Sequence, residues 1–122
     1  IQMCMDELKD ADSRAIYKNV EMDFFNYGRV KMFIHANTNA PDGELYAFLR
    51  LGNDPDQNYY EIAVPLRRSN PLDSSPEEVW PEENEIDIAL DELYALKVER
   101  DRNNFSLSQA YPLNGPKQVG KH

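Results

Sequence analysis

Two runs of strictly alternating hydrophobicity, separated by a stretch that can continue neither, constrain this chain more than any other feature. Over residues 44–52, Leu45, Ala47, Leu49 and Leu51 fall on one face and Tyr46, Phe48 and Arg50 on the other. Over residues 59–66, Tyr60, Ile62 and Val64 alternate with Glu61 and Ala63. Between them lie the six residues Asn53-Asp54-Pro55-Asp56-Gln57-Asn58, all of turn or loop chemistry. Side chains alternate between faces along a strand, so each run can bury one row and leave the other to solvent. The pair predicts an antiparallel hairpin. A slip of one residue would turn the apolar row outward, which makes the register firm. Pro65 has no N–H to give a ladder and marks a strand end or edge.

The remaining segments predict further short strands and one helix. Residues 1–8 place Ile1, Met3 and Met5 at period two, a short strand. Residues 9–13 are a polar break, and residues 15–22 read as loosely extended. Val30-Lys31-Met32-Phe33-Ile34-His35-Ala36 is dense in strand formers, with apolar residues on both faces, as in a strand inside a sandwich. Residues 37–43, Asn-Thr-Asn-Ala-Pro-Asp-Gly, form a turn. Residues 69–81 carry prolines and predict a long irregular crossing. Ile86, Ile88 and Leu90 alternate with Asp87 and Ala89 as a short strand. Asp91 offers an N-cap to a helix over residues 91–102, with Glu92 in its first turn, cations toward its end and Asn103-Asn104 to stop it. Phe105-Ser106-Leu107 suggests a last strand. The expected fold is mainly β: a β-sandwich of the jelly-roll, galactose-binding-like type with one short α-helix. It would occupy residues 1–108 as a single domain, followed by a flexible Pro/Gly-rich tail or linker at 109–122.

Composition narrows the function classes. The chain has 122 residues, enough for one domain and one ordinary core. Seven Tyr, five Phe and one Trp supply large buriable surfaces to an otherwise polar sequence. A net charge of -9 repels phosphate backbones and anionic lipid, so nucleic-acid binding and membrane contact by this segment are disfavoured. No apolar stretch approaches the roughly 18 residues of a spanning helix. The single Cys4 excludes an internal disulfide. The chain opens on Ile1 with no signal-like region, as a processed product or an excised piece of a longer protein would.

Candidates for chemistry each have a plain alternative. His35 and His122 have no second His or Cys at ligand spacing, and His35 reads as a packed or rim histidine. No serine stands in a nucleophile-elbow context, and Cys4 has no nearby base. Asp54, Asp56 and Asn58 space oxygens as calcium loops do, but the loop lacks the glycine and the distal glutamate of such loops. A hydrated turn is the better reading, and no metal or other cofactor is expected. Tyr59 and Tyr60 follow this loop and could stack on a sugar ring, against the simpler alternative of cross-strand packing. Glu77, Glu78, Glu82, Glu83 and Glu85 surround Trp80. Paired carboxylates serve glycosidases, but on rigid elements at fixed separation; here they read as a solvated acidic loop. Trp80 beside Pro81 reads as a plug pinning that loop, or as an anchor for another surface.

Five phrases in order carry a resemblance. They are Tyr27-Gly28-Arg29-Val30-Lys31-Met32-Phe33-Ile34-His35-Ala36, Ala47-Phe48-Leu49-Arg50-Leu51-Gly52-Asn53-Asp54, Asn58-Tyr59-Tyr60-Glu61-Ile62, Pro65-Leu66 and Val79-Trp80-Pro81-Glu82-Glu83-Asn84-Glu85-Ile86-Asp87. Together they resemble the SprA/Sov family, the giant outer-membrane proteins of Bacteroidetes gliding motility and type IX secretion. Trp-Pro-Glu-Glu-Asn is the most specific phrase. The resemblance runs from about Leu8 to Arg102, and residues 9–18 resemble the region just upstream. It implies that this chain is one domain of a very large transmembrane barrel at the outer membrane or cell surface. The expected role is a non-catalytic structural or interaction domain. Its partners would be other secretion-system proteins or the parent barrel, and secreted polypeptide. Tyr59, Tyr60 and Trp80 are the candidate binding residues. The alternative reading is a carbohydrate-binding or adhesin module.

Overall fold

The computed structural model describes residues 1–21, 23, 26–54, 56–111 and 118–121. Among them, five strands form two antiparallel sheets. Strand β1 (Arg29–Phe33) pairs with β4 (Glu85–Ala89), and β2 (Tyr46–Gly52), β3 (Tyr59–Pro65) and β5 (Gln118–Lys121) form a second sheet in the order β2-β3-β5. Two helices interrupt the strands: α1 (Pro76–Val79), one turn long, and α2 (Leu90–Arg102), of 13 residues. A single 3-10 turn at Glu82–Asn84 leads into β4.

The predicted hairpin is present in the expected register. Leu49 faces Ile62, Leu51 faces Tyr60 and Ala47 faces Val64, so the apolar rows of β2 and β3 share one face. Asn53 N–H donates to the Asn58 carbonyl at 3.1 Å and closes the loop. Gly52 is required there, because a Cβ on it would lie 2.1 Å from that carbonyl oxygen. In the other sheet Val30 faces Ile88 and Met32 faces Ile86. Those inner rows meet α2 in one core of Ile62, Ile86, Ile88, Leu90 and Leu93, with Leu49, Leu51, Tyr60 and Tyr94 packed against it. Both sheets and the helix therefore bury their apolar faces together, at roughly 1.5–3 kcal/mol per fully buried large side chain.

Helix α2 starts one residue before the sequence-predicted start, and its cap is Ala89, without a side-chain bond, rather than Asp91. The reason is local. Strand β4 runs directly into the helix, and Leu90 N–H donates to the Gly28 carbonyl at 3.0 Å, so the ladder itself satisfies the first orphan donor. Asp91 and Glu92 instead complement the helix dipole from the first turn, and Arg100 and Arg102 from the last. Asn104 ends the helix as expected, at φ 48°. Asn104 N–H reaches the Asp101 carbonyl and Phe105 N–H the Arg100 carbonyl, the paired bonds of a Schellman stop.

Other expectations are corrected. Residues 1–8 form no strand, and Ile1, Met3 and Met5 are exposed: period two makes a strand only where a sheet edge receives it. Strand β1 is shorter than residues 30–36 and buries one face only, because Arg29, Lys31 and Phe33 project to solvent. Phe105-Ser106-Leu107 forms no strand but runs irregularly into a turn at residues 107–108, and Phe105 packs edge-on against Tyr111 at 5.1 Å. Within the segment read as a tail, residues 112–117 and His122 lie outside the described residues, while Gln118–Lys121 pairs with β3. The architecture is thus small antiparallel strands with one longer helix, and no closed barrel among the described residues. The mainly-β expectation holds, while the two sheets, of two and three strands among the described residues, do not establish the double Greek key of a jelly roll.

Candidate functional site

The crossing from β3 to β4 is the most constructed part of the surface. Residue 84 anchors it. Asn84 is 1% exposed; its Oδ1 accepts from Arg67 N–H and its Nδ2 donates to the Arg67 carbonyl, both at 2.7 Å. The side-chain amide thereby pairs with one residue's backbone as a neighbouring strand would. Within the crossing, Ser75 caps α1: its hydroxyl accepts from Glu78 N–H, and the Glu78 carboxylate accepts from Ser75 and Ser74 N–H. Those backbone bonds, that from Ser75 first, hold the Glu78 carboxyl below its ordinary range.

A second knot joins this crossing to the end of β1. His35 Nδ1 lies 2.9 Å from the Val79 carbonyl and 3.1 Å from Ser69 Oγ, and Ser69 Oγ donates to the same carbonyl at 3.2 Å. A carbonyl only accepts, so Nδ1 carries its proton and has no lone pair to take one from Ser69. The geometry is that of a tether, not of a nucleophile and its base. Ser69 N–H to the Ala36 carbonyl, at 2.9 Å, completes it.

Trp80 sits on this knot. Its ring is tilted 59° to that of His35 with centroids 5.4 Å apart, and its backbone N–H donates to the Pro76 carbonyl at 2.8 Å, closing α1. Trp80 remains 47% exposed and Phe33, at the end of β1, 56%. The predicted plug is thus displaced by one residue: Pro81 is buried and Trp80 faces outward. Phe33, Pro76, Glu77 and Trp80 line an open hollow of about 540 Å³. Phe33 owes its place in it to β1 parity, as the outward neighbour of Met32. Sequence reasoning did not single out Phe33, His35 as a support, or Asn84; the Trp-Pro-Glu-Glu-Asn phrase was the available signal for the last.

The tyrosine pair is split. Register puts Tyr60 on the core face opposite Leu51, where it meets Tyr94 edge-on at 6.4 Å and burial raises its phenol above the ordinary range. Tyr59 lies on the outer face under the Arg50 guanidinium, 4.2 Å from the ring centroid, with Phe48 at 5.1 Å on the same group. Arg50 also pairs with Glu61 at 2.7 Å. Neighbouring residues of one strand cannot form one stacking platform. The loop ahead of them is organised by Asp54, whose Oδ1 accepts from Asp56 N–H at 2.7 Å and Gln57 N–H at 3.0 Å. That carboxylate folds its own turn. Among the described residues no three of His, Cys, Asp and Glu gather as a metal site, Asp54 and Asp56 included.

The acidic residues are likewise dispersed. Glu85 lies on the outer side of β4, 3.5 Å from Lys31 Nζ, which also approaches Asp87 at 3.4 Å. Among the described residues its Oε1 is shielded from water and makes no hydrogen bond, with Lys31 Nζ at 3.5 Å as its ion-pair partner. Arg29 hydrogen-bonds Asp87 and, with Lys31, holds that carboxyl below its usual range. Glu83 pairs loosely with Arg67 at 3.5 Å.

Among the described residues no helix is long and apolar enough to cross a membrane. A family model described as motility related/secretion protein matches residues 1–120. No curated protein matches the chain.

Proposed function

Because the chain belongs to the SprA_N family of motility-related and secretion proteins, we propose that it is a non-catalytic interaction domain of a large cell-envelope protein. In this reading the parent is the outer-membrane translocon of type IX secretion and gliding motility, and the domain holds or guides other polypeptides at the outer membrane. The exposed Phe33–Trp80 surface carries the reading. With its backbone bonded to Pro76, a buried proline beside it and its indole against the tilted His35 ring, Trp80 is held in a contact-ready pose, and little side-chain freedom is lost when a partner covers it. The polar side chains around it favour a structural role as well: Asn84 clamps, Glu78 caps, and His35 with Ser69 tethers. The placement of Tyr59 and Tyr60 on opposite faces of β3 weighs against the carbohydrate-module alternative.

The test is made in the parent protein. Deleting this segment, with the remainder joined in frame, is expected to leave the parent in the envelope fraction while secretion and surface motility fall. Normal secretion and motility with a stably accumulated deletion protein would refute the role.

A further inference from the structure

We infer that the Phe33–Trp80 hollow receives a basic, aliphatic- or proline-bearing polypeptide segment, an inference that rests on the interaction role proposed above. The lining is three apolar residues and one carboxylate, Glu77. Glu77 has no ion-pair partner among the described residues. The neighbouring Glu78 is kept ionised by its cap bonds, and α1 has no basic residue in its last turn to offset either. Glu82 and Glu83 follow Pro81 in the chain and add negative charge close by, Glu83 pairing loosely with Arg67 at 3.5 Å.

Apolar contact and negative potential therefore meet at one place. A Lys or Arg can lay its charge over the Trp80 face and toward Glu77 while its stem, or a neighbouring Leu or Pro, fills the hollow. At about 540 Å³ and open, the space takes a few side chains rather than a folded face. Charge decides against the other occupants. A second copy would bring -9 to -9, and an anionic lipid surface is repelled in the same way. A sugar would find only one carboxylate and the Trp80 indole N–H as polar side-chain groups in the lining, few partners for its many hydroxyls.

The experiment uses the 122-residue chain and a fluorescein-labelled dodecapeptide alternating Lys with Leu and Pro, read by anisotropy. Its counterpart carries Glu for Lys. Saturable binding of the basic peptide, weakened by salt, is expected. Trp80→Ala should weaken it by about tenfold and Glu77→Gln by about threefold. Tyr46→Ala, on the outer face of β2, should leave it unchanged. Trp80→Phe, which keeps a ring against His35, covers the case of an unfolded alanine variant and should cost about threefold.

Equal binding of the acidic peptide overturns the inference, as does binding indifferent to Trp80 and Glu77, or no binding at millimolar peptide. Trp80-dependent self-association in sedimentation would assign the hollow to a second copy instead, and displacement of the peptide by neutral oligosaccharides would assign it to a glycan. If the peptide arms fail while deletion of the segment from the parent still blocks secretion, the interaction role stands and the hollow is the wrong surface. If deletion has no effect, the role itself falls.

Discussion

Asn84 places both ends of one amide on a single backbone residue, and this makes it the most consequential polar side chain in the molecule. Asn84→Ala leaves the N–H and the carbonyl of Arg67 without partners in a part-buried site. The expected loss is about 2–4 kcal/mol, read from denaturant unfolding. Asn84→Asp should be at least as damaging, because a carboxylate oxygen would then face the Arg67 carbonyl. Two carboxyls contribute to the acid limb of stability. Glu78, through the Ser75 and Ser74 N–H groups, and Asp87, through Arg29, titrate below their ordinary ranges. Their stabilisation is present above about pH 4 and is lost as pH falls through the depressed values. Thermal melts from pH 7 to pH 3 should show this decline, and Glu78→Gln, which keeps the cap geometry, should flatten it. At this scale the sequence was only partly legible. The residue types that can hydrogen-bond were visible, but whether Asn84 meets Arg67 depends on a contact 17 residues away. Nor does local chemistry reveal that His35 gives its Nδ1 proton to Val79.

Elements were more legible than residues, for a physical reason. Alternation over residues 44–52 and 59–66 specifies which rows must be buried together, and only one antiparallel register does so. The same register disposes of the tyrosine platform, a consequence of period two that the adjacency of Tyr59 and Tyr60 in sequence obscures. Gly52 closes the hairpin by allowing Asn58 to approach; Gly52→Ala should cost about 1–3 kcal/mol and speed exchange of the Asn53 amide, measured by hydrogen exchange. Helix α2 was located by its stop and its charges, since the Asn103-Asn104 pair and the Arg-rich last turn act locally. Its start was misplaced because the satisfying acceptor, the Gly28 carbonyl, comes from another strand. The same holds for residues 1–8 and 105–107. Their patterns suit strands, but strand formation is decided by an available edge.

For the whole molecule, the division between what holds the fold and what lies on it is sharp. Hydrogen bonds within residues 1–21 are local, and Ile1, Ile16, Tyr17 and Val20 are more than half exposed. Removing residues 1–21 should change the unfolding free energy by no more than about 0.5 kcal/mol, a difference that a denaturant titration resolves. Leu93→Ala, in contrast, removes a side chain shared by both sheets and α2 and should cost about 2–5 kcal/mol. The Asn84–Arg67 clamp has a mechanical consequence at this scale. Its two residues lie 17 apart, and the chain between them would span about 55–60 Å if drawn out. Tension entering along β3 and leaving along β4 crosses the clamp directly. The α1 turn and the indole within that ring are thus shunted out of the load path, keeping their shape until the clamp itself yields.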